Sequence, residues 1–164
     1  MLIALRQLFD NENERIALDY NFDFTGLELW GRCPFASGIH VVGEIVNHTG
    51  IVTLTYTASF TLGADCDRCL EHFERAETHE FSHILVLSLN GEDTEEFVVL
   101  KDAQLDLTEL VTSDVVLTLP VKLLCSDDCK GLCQMCGANR NHTMCSCIKK
   151  ERDPRLAALE KLLD

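Results

Sequence analysis

Cysteine spacing constrains this chain more than any other feature. Six of its nine cysteines crowd into the 23 residues from Cys125 to Cys147, and two more form the pair Cys66-Asp-Arg-Cys69. Cys125 and Cys129 make a C-x3-C pair, Cys133 and Cys136 a C-x2-C pair followed by Gly137, and Cys145 and Cys147 a C-x-C pair. Thiolates spaced this closely on tight turns suit a tetrahedral metal ion. A glycine after the second cysteine lets the backbone turn its N–H groups toward the sulfurs. Ser126, Asp127, Asp128, Lys130 and Asn139 lie among these cysteines, leaving too little apolar material to order the segment. Metal binding supplies on the order of ten kcal/mol to such a small site.

Four pairs make two all-thiolate sites, so one or two Zn²⁺ ions are expected. One set is Cys66, Cys69, Cys125 and Cys129, clamping the tail to the body of the chain. The other is Cys133, Cys136, Cys145 and Cys147, whose eight-residue internal loop closes at small entropic cost. Crossed pairings, such as Cys66/Cys69 with Cys133/Cys136, fit nearly as well by spacing. His142 lies inside the cluster as an alternative ligand. The run Cys129-x3-Cys133-x2-Cys136 also matches the iron–sulfur spacing of radical enzymes that use S-adenosylmethionine. Those barrels typically need about 200 residues or more, and only residues 137–164 follow the motif here. A thioredoxin-like redox role for Cys66/Cys69 requires a βαβ setting, yet strand patterns flank the pair on both sides.

A chain of 164 residues has room for one sizeable core. Its longest apolar runs fall far short of the about 20 residues a bilayer span needs, and no signal-peptide pattern opens it. A cytoplasmic location without membrane attachment is expected, where disulfides are disfavoured. Cys33, the unpaired ninth cysteine, reads as a small buried apolar residue. The formal charge of −13 is uneven. Residues 1–120 carry 6 Lys/Arg against 21 Asp/Glu, while residues 121–164 carry 8 against 6. So acidic a body repels polyanions and attracts basic proteins. RNA contact, if any, falls to residues 121–164.

Leu54, Tyr56, Ala58, Phe60 and Leu62 alternate with threonines and a serine, the mark of a half-buried strand. Ile39 to Val46 forms a second strand, joined to the first by a hairpin turn at Asn47-His48-Thr49-Gly50. Phe73 to Leu87 adds a long strand, a turn follows at Leu89 to Asp93, and Phe97 to Leu100 adds a short strand. His79 and His83 then fall on one face about 13 Å apart and read as solvated. Leu2 to Leu8 fits strand or helix. Asp106 caps a helix carrying Leu107, Leu110, Val111 and Val115 on one face, which Pro120 ends. Asp153 and Pro154 open a last helix with Leu156, Leu159, Leu162 and Leu163 as its stripe. The expected fold is α+β: a mainly antiparallel sheet or partial β-barrel, a few helices and a cysteine-rich zinc-binding C-terminal segment. The division falls between an acidic, strand-rich body, residues 1–120, and a metal-binding segment, residues 121–164.

Cys66-Asp-Arg-Cys69-Leu70-Glu71, Leu119-Pro120-Val121, the run Leu124 to Cys133, Cys136-Gly137-Ala138-Asn139, Asn141, Cys145-Ser-Cys147 and Asp153-Pro154-Arg155-Leu156 occur in that order. In them the chain resembles the bacterial YceD family, described as large ribosomal RNA subunit accumulation proteins. The resemblance implies a non-enzymatic, cytosolic role in the synthesis, processing or stability of 23S ribosomal RNA, hence in large-subunit assembly. The partner it implies is a large-subunit precursor or a basic ribosomal protein. Competing readings are a thiol or iron–sulfur oxidoreductase, and a zinc-stabilised adaptor unrelated to ribosomes. The oxidoreductase predicts a low-pKa thiol or a visible absorption band.

Overall fold

A computed structural model describes residues 1–88 and 97–147. The turn expected at Leu89 to Asp93 and the helix expected from Asp153 lie outside them. Strands β1 (Leu2–Ala4), β2 (Arg15–Phe22), β3 (Ile39–His48), β4 (Ile51–Asp65), β5 (His72–Val86), β6 (Phe97–Val99) and β7 (Gln104–Asp106) alternate with helices α1 (Arg6–Asp10) and α2 (Leu107–Thr118). Five strands form one sheet in the order β2-β3-β4-β5-β6, and β1 pairs with β7 in a second. All pairings are antiparallel except β5 with β6. The fold is therefore α+β and mainly antiparallel, and among the described residues the sheet stays open rather than closing into a barrel.

The threonine-backed alternation of β4 does what its period of two requires. Leu54, Tyr56, Ala58, Phe60 and Leu62 are buried on one face while the threonines look outward. The β3–β4 turn places Thr49 (φ 53°) and Gly50 (φ 84°) between the paired His48 and Ile51, a conformation suited to the twist of a hairpin. Asn47 beside it is buried and fully bonded. Its amide donates to the carbonyls of Leu8 at 2.7 Å and Asn11 at 3.2 Å and accepts the Gly50 N–H at 3.1 Å. The β2 strand, with Ile16, Leu18, Tyr20 and Phe22 alternating inward, is an addition to the elements expected from sequence. Leu2 to Leu8 resolves into both alternatives, strand then helix.

Asp106 caps α2 by accepting N–H bonds from Thr108 at 3.0 Å and Glu109 at 3.3 Å, and the N-terminal ammonium joins it at 3.0 Å. Leu107, Val111 and Val115 are buried and join the sheet's inner residues in one core. On that face His83 and Tyr56 both bond the Asp114 carboxylate of α2, His83 at 2.7 Å. His79 stacks on Phe60 with ring centres 5.9 Å apart. The two histidines are thus half-buried against the core, not solvated, because strand parity turns them to the face that α2 and the aromatics occupy.

Cys33 corrects a second expectation: it is exposed. Reciprocal backbone bonds between Leu29 and Arg32 close a two-residue turn at Trp30 (φ 52°) and Gly31 (φ 75°). Phe35, just beyond, takes the core position instead. Among the described residues, β6 pairs with β5 only at Ile84–Val86, so β5 from His72 to His83 has a bare edge on the side away from β4.

Candidate metal centres

The β4–β5 hairpin carries Cys66 and Cys69 in its connection. There the Leu70 N–H bonds the Cys66 carbonyl at 2.9 Å, and Leu70 takes φ 61°. Cys133 and Cys136 repeat the same knuckle. The Gly137 N–H bonds the Cys133 carbonyl at 2.9 Å, and Gly137 takes φ 74°. A left-handed residue after the second cysteine is thus common to both turns, and in the first it is a leucine.

After α2 the chain crosses the first knuckle and is fastened there by backbone and side-chain hydrogen bonds. The Asp67 N–H meets the Leu123 carbonyl at 2.8 Å, and the Leu123 N–H meets the Asp67 carboxylate at 2.8 Å. Farther on, the Leu132 N–H donates to the Arg68 carbonyl at 3.1 Å. The Arg68 guanidinium donates to the Cys129 carbonyl at 3.0 Å. Arg32 holds Asp67 from the other side at 3.1 Å. These contacts bring Cys125 and Cys129 over Cys66 and Cys69.

The eight sulfurs gather in two sets of four: Cys66, Cys69, Cys125 and Cys129, and separately Cys133, Cys136, Cys145 and Cys147. Within each set all sulfurs lie within 4.8 Å of one another. The split matches the one preferred on loop-closure grounds, and the crossed pairings do not occur. Cys66 and Cys129 stand 3.7 Å apart, Cys69 and Cys125 3.6 Å. Disulfide sulfurs lie about 2 Å apart, whereas tetrahedral Zn–S bonds of about 2.3 Å separate their sulfurs by about 3.8 Å. The first set, largely buried, fits such an ion; the second alternates between half-buried and exposed. Both groups could hold a metal ion.

Backbone and thiol electrostatics point the same way. Burial opposes ionisation of Cys66, but N–H groups of Cys125, Arg68 and Cys69 outweigh it and bring that thiol down to about 6. Cys133, faced by the N–H groups of Cys136 and Met135, also falls to about 6. Burial, aided by Cys129 and the other thiols, pushes Cys125 up to about 12. Its neighbour Cys136 pushes Cys147 up to about 12. In each set a thiol that sheds its proton readily stands beside one that keeps its proton, chiefly through burial at Cys125 and through its neighbour Cys136 at Cys147. A divalent cation at the centre removes that conflict, since it stabilises all four thiolates together.

Polar residues brace the sulfurs. Asn141 donates to the Cys129 sulfur at 3.2 Å and accepts the Lys130 N–H at 2.7 Å, and its presence lowers the Cys129 thiol. His142 turns away from both sulfur sets and meets the Glu71 carboxylate at 2.9 Å, where Asn139 also donates at 3.2 Å. His142 is therefore a strut between the two knuckles, not a ligand in either group. Spacing alone reveals neither this strut nor the Asp67 clamp, because each partner lies dozens of residues away. Their one trace in the sequence is their place beside the cysteines.

Among the described residues no helix is long and apolar enough to cross a membrane. No solved structure matches the chain. It is similar to an Arabidopsis thaliana protein named large ribosomal RNA subunit accumulation protein YCED homolog 1, chloroplastic, at 32% identity over 59 residues. That stretch is 36% of this chain, which spans only 18% of the relative's length. The sequence pattern of the family described as large ribosomal RNA subunit accumulation protein YceD matches residues 54–163, a span holding all eight paired cysteines. By that match, the chain belongs to the YceD family.

Proposed function

We propose that this protein is a non-enzymatic, cytoplasmic ribosome-biogenesis factor supporting the synthesis, processing or stability of 23S ribosomal RNA. In this reading Cys66, Cys69, Cys125 and Cys129 hold one Zn²⁺, and Cys133, Cys136, Cys145 and Cys147 hold a second. Zinc organises residues 121–164 into a binding surface on an acidic body of residues 1–120. The observation that carries the reading is the family match across both cysteine sets. Sulfur separations close to those of a tetrahedral ion support the metal.

Charge favours a basic protein partner over phosphate tracking. Each filled four-thiolate site carries a net charge of about −2. Loading both sites adds about −4 to a formal −13 and offsets the small basic excess of residues 121–164. A surface of that sign repels RNA phosphates and attracts the Lys/Arg-rich surface of a ribosomal protein.

Metal analysis of the purified chain, with co-sedimentation against large-subunit precursors at two salt concentrations, tests the reading. Zinc and binding that weakens with salt are expected. Normal levels of mature 23S RNA after depletion of the protein refute the pathway. Iron with a visible absorption band refutes the zinc assignment.

A further inference from the structure

The bare edge of β5 is the largest unused recognition element of the described fold. β5 pairs with β4 along Val52–Asp65, but β6 covers only Ile84–Val86 of its other side. From His72 to His83 no backbone bond to another described segment leaves that side. Half of the strand's N–H and C=O groups in this stretch therefore point outward, a template for one more strand. Edges of this length invite self-association unless charge guards them. Here the guard is mostly of one sign: Glu74, Glu77 and Glu80 against Arg75. Glu74 and Glu80 are exposed on the outer face, while Phe73, Phe81 and His79 are half-buried on the inner one.

We propose that β5, from His72 to His83, is a docking edge for an extended basic segment of a partner protein, which adds as a strand beside it. Main-chain bonds supply the affinity, and alternate side chains are read separately. Lysines or arginines facing outward meet Glu74 and Glu80. Small apolar residues facing inward lie along Phe81 and Phe73. A second copy of this chain is disfavoured as occupant, because pairing β5 with β5 brings like-charged glutamates together. The inference rests on the reading of a basic ribosomal-protein partner and assigns it an address on the fold.

Amide hydrogen exchange of the full chain, with an eight-residue peptide alternating lysine and valine, tests the proposal. At a peptide concentration about ten times its dissociation constant, alternate amides between Phe73 and His83 are expected to slow by about ten-fold. The double variant Glu74→Lys, Glu80→Lys changes only exposed side chains, so it folds and is expected to lose the effect, as is a peptide with glutamate for lysine. No protection on β5, protection confined to β2, or equal protection in the double variant overturns the proposal. Protection without peptide that grows with protein concentration assigns the edge to a second copy and also overturns it. Co-sedimentation with large-subunit precursors separates the two levels. If the double variant still sediments with them as the parent does, the edge assignment falls and the ribosomal reading stands. If the parent itself fails to sediment, the ribosomal reading falls, and the peptide result alone decides the edge.

Discussion

Replacing Gly131 by alanine is expected to loosen the seam between the two cysteine sets. Gly131 sits at φ +66°, where a Cβ would stand 2.9 Å from the Arg68 carbonyl oxygen and 3.4 Å from the Arg68 Cβ. The left-handed conformation alone costs an alanine about 1–2 kcal/mol. The Arg68 carbonyl cannot retreat freely, because it accepts the Leu132 N–H at 3.1 Å. Giving up that bond adds about 1 kcal/mol, for a total of about 2–3 kcal/mol. Amide exchange at Leu132, Cys133 and Arg140 then accelerates about 30- to 150-fold, with the Leu54 amide of β4 as an unaffected reference. Gly137 is the matched control. Its φ is +74°, yet nothing lies within 4 Å of its absent Cβ, so Gly137→Ala carries the conformational cost of about 1–2 kcal/mol alone. A Gly131→Ala variant whose seam amides exchange no faster than those of Gly137→Ala refutes the contact argument.

Leu70→Gly has the opposite sign. Leu70 is 68% exposed at φ 61°, so little packing is lost, and a net gain of about 0.5–1 kcal/mol is expected in urea unfolding. Asp114→Ala strips the acceptor from both Tyr56 and His83 and should destabilise by about 3 kcal/mol, against about half that for Tyr56→Phe, which loses one bond. A thermal melt in which the two variants match discounts the His83 bond. The Leu123 N–H, then Arg32, holds the Asp67 carboxyl below the usual range. A depressed carboxylate stabilises above its unfolded value of about 3.9, and that contribution is lost as pH falls through the lower folded value. Trp30, the chain's one tryptophan, lies two residues from Arg32 and should report this acid step by fluorescence. Asp67→Asn is expected to abolish the step, and a step unchanged in that variant assigns it elsewhere.

Much of the architecture was legible because it is written in local periods. The β4 alternation, the Asp106 cap and the hairpin residues before Ile51 each act within a few positions, and each appears where its spacing puts it. The β2 alternation has the same period but, weaker in β-branched residues, was not among the elements expected from sequence. Cys33 and the two β5 histidines were not. Their environments depend on which face a neighbouring element covers, and parity along a strand says only which residues share a face. The Tyr56–Asp114–His83 cluster joins β4, α2 and β5, three elements whose adjacency no local pattern announces.

The amino-acid order was enough to reveal thiolate pairs on tight turns, a strand-rich acidic body and the kinship that follows from them. It favoured one way of combining those pairs only narrowly, because loop-closure entropy grows only logarithmically with separation and leaves alternatives nearly equal. The folded chain broke that near-tie. Backbone bonds from Asp67 to Leu123 and from Leu132 to Arg68 seat one stretch of tail on the β4–β5 turn, and with it Cys125 and Cys129 on Cys66 and Cys69. Among the described residues, the same packing leaves β5 from His72 to His83 unpaired on the side away from β4, a property of strand order that exists only once the sheet has formed.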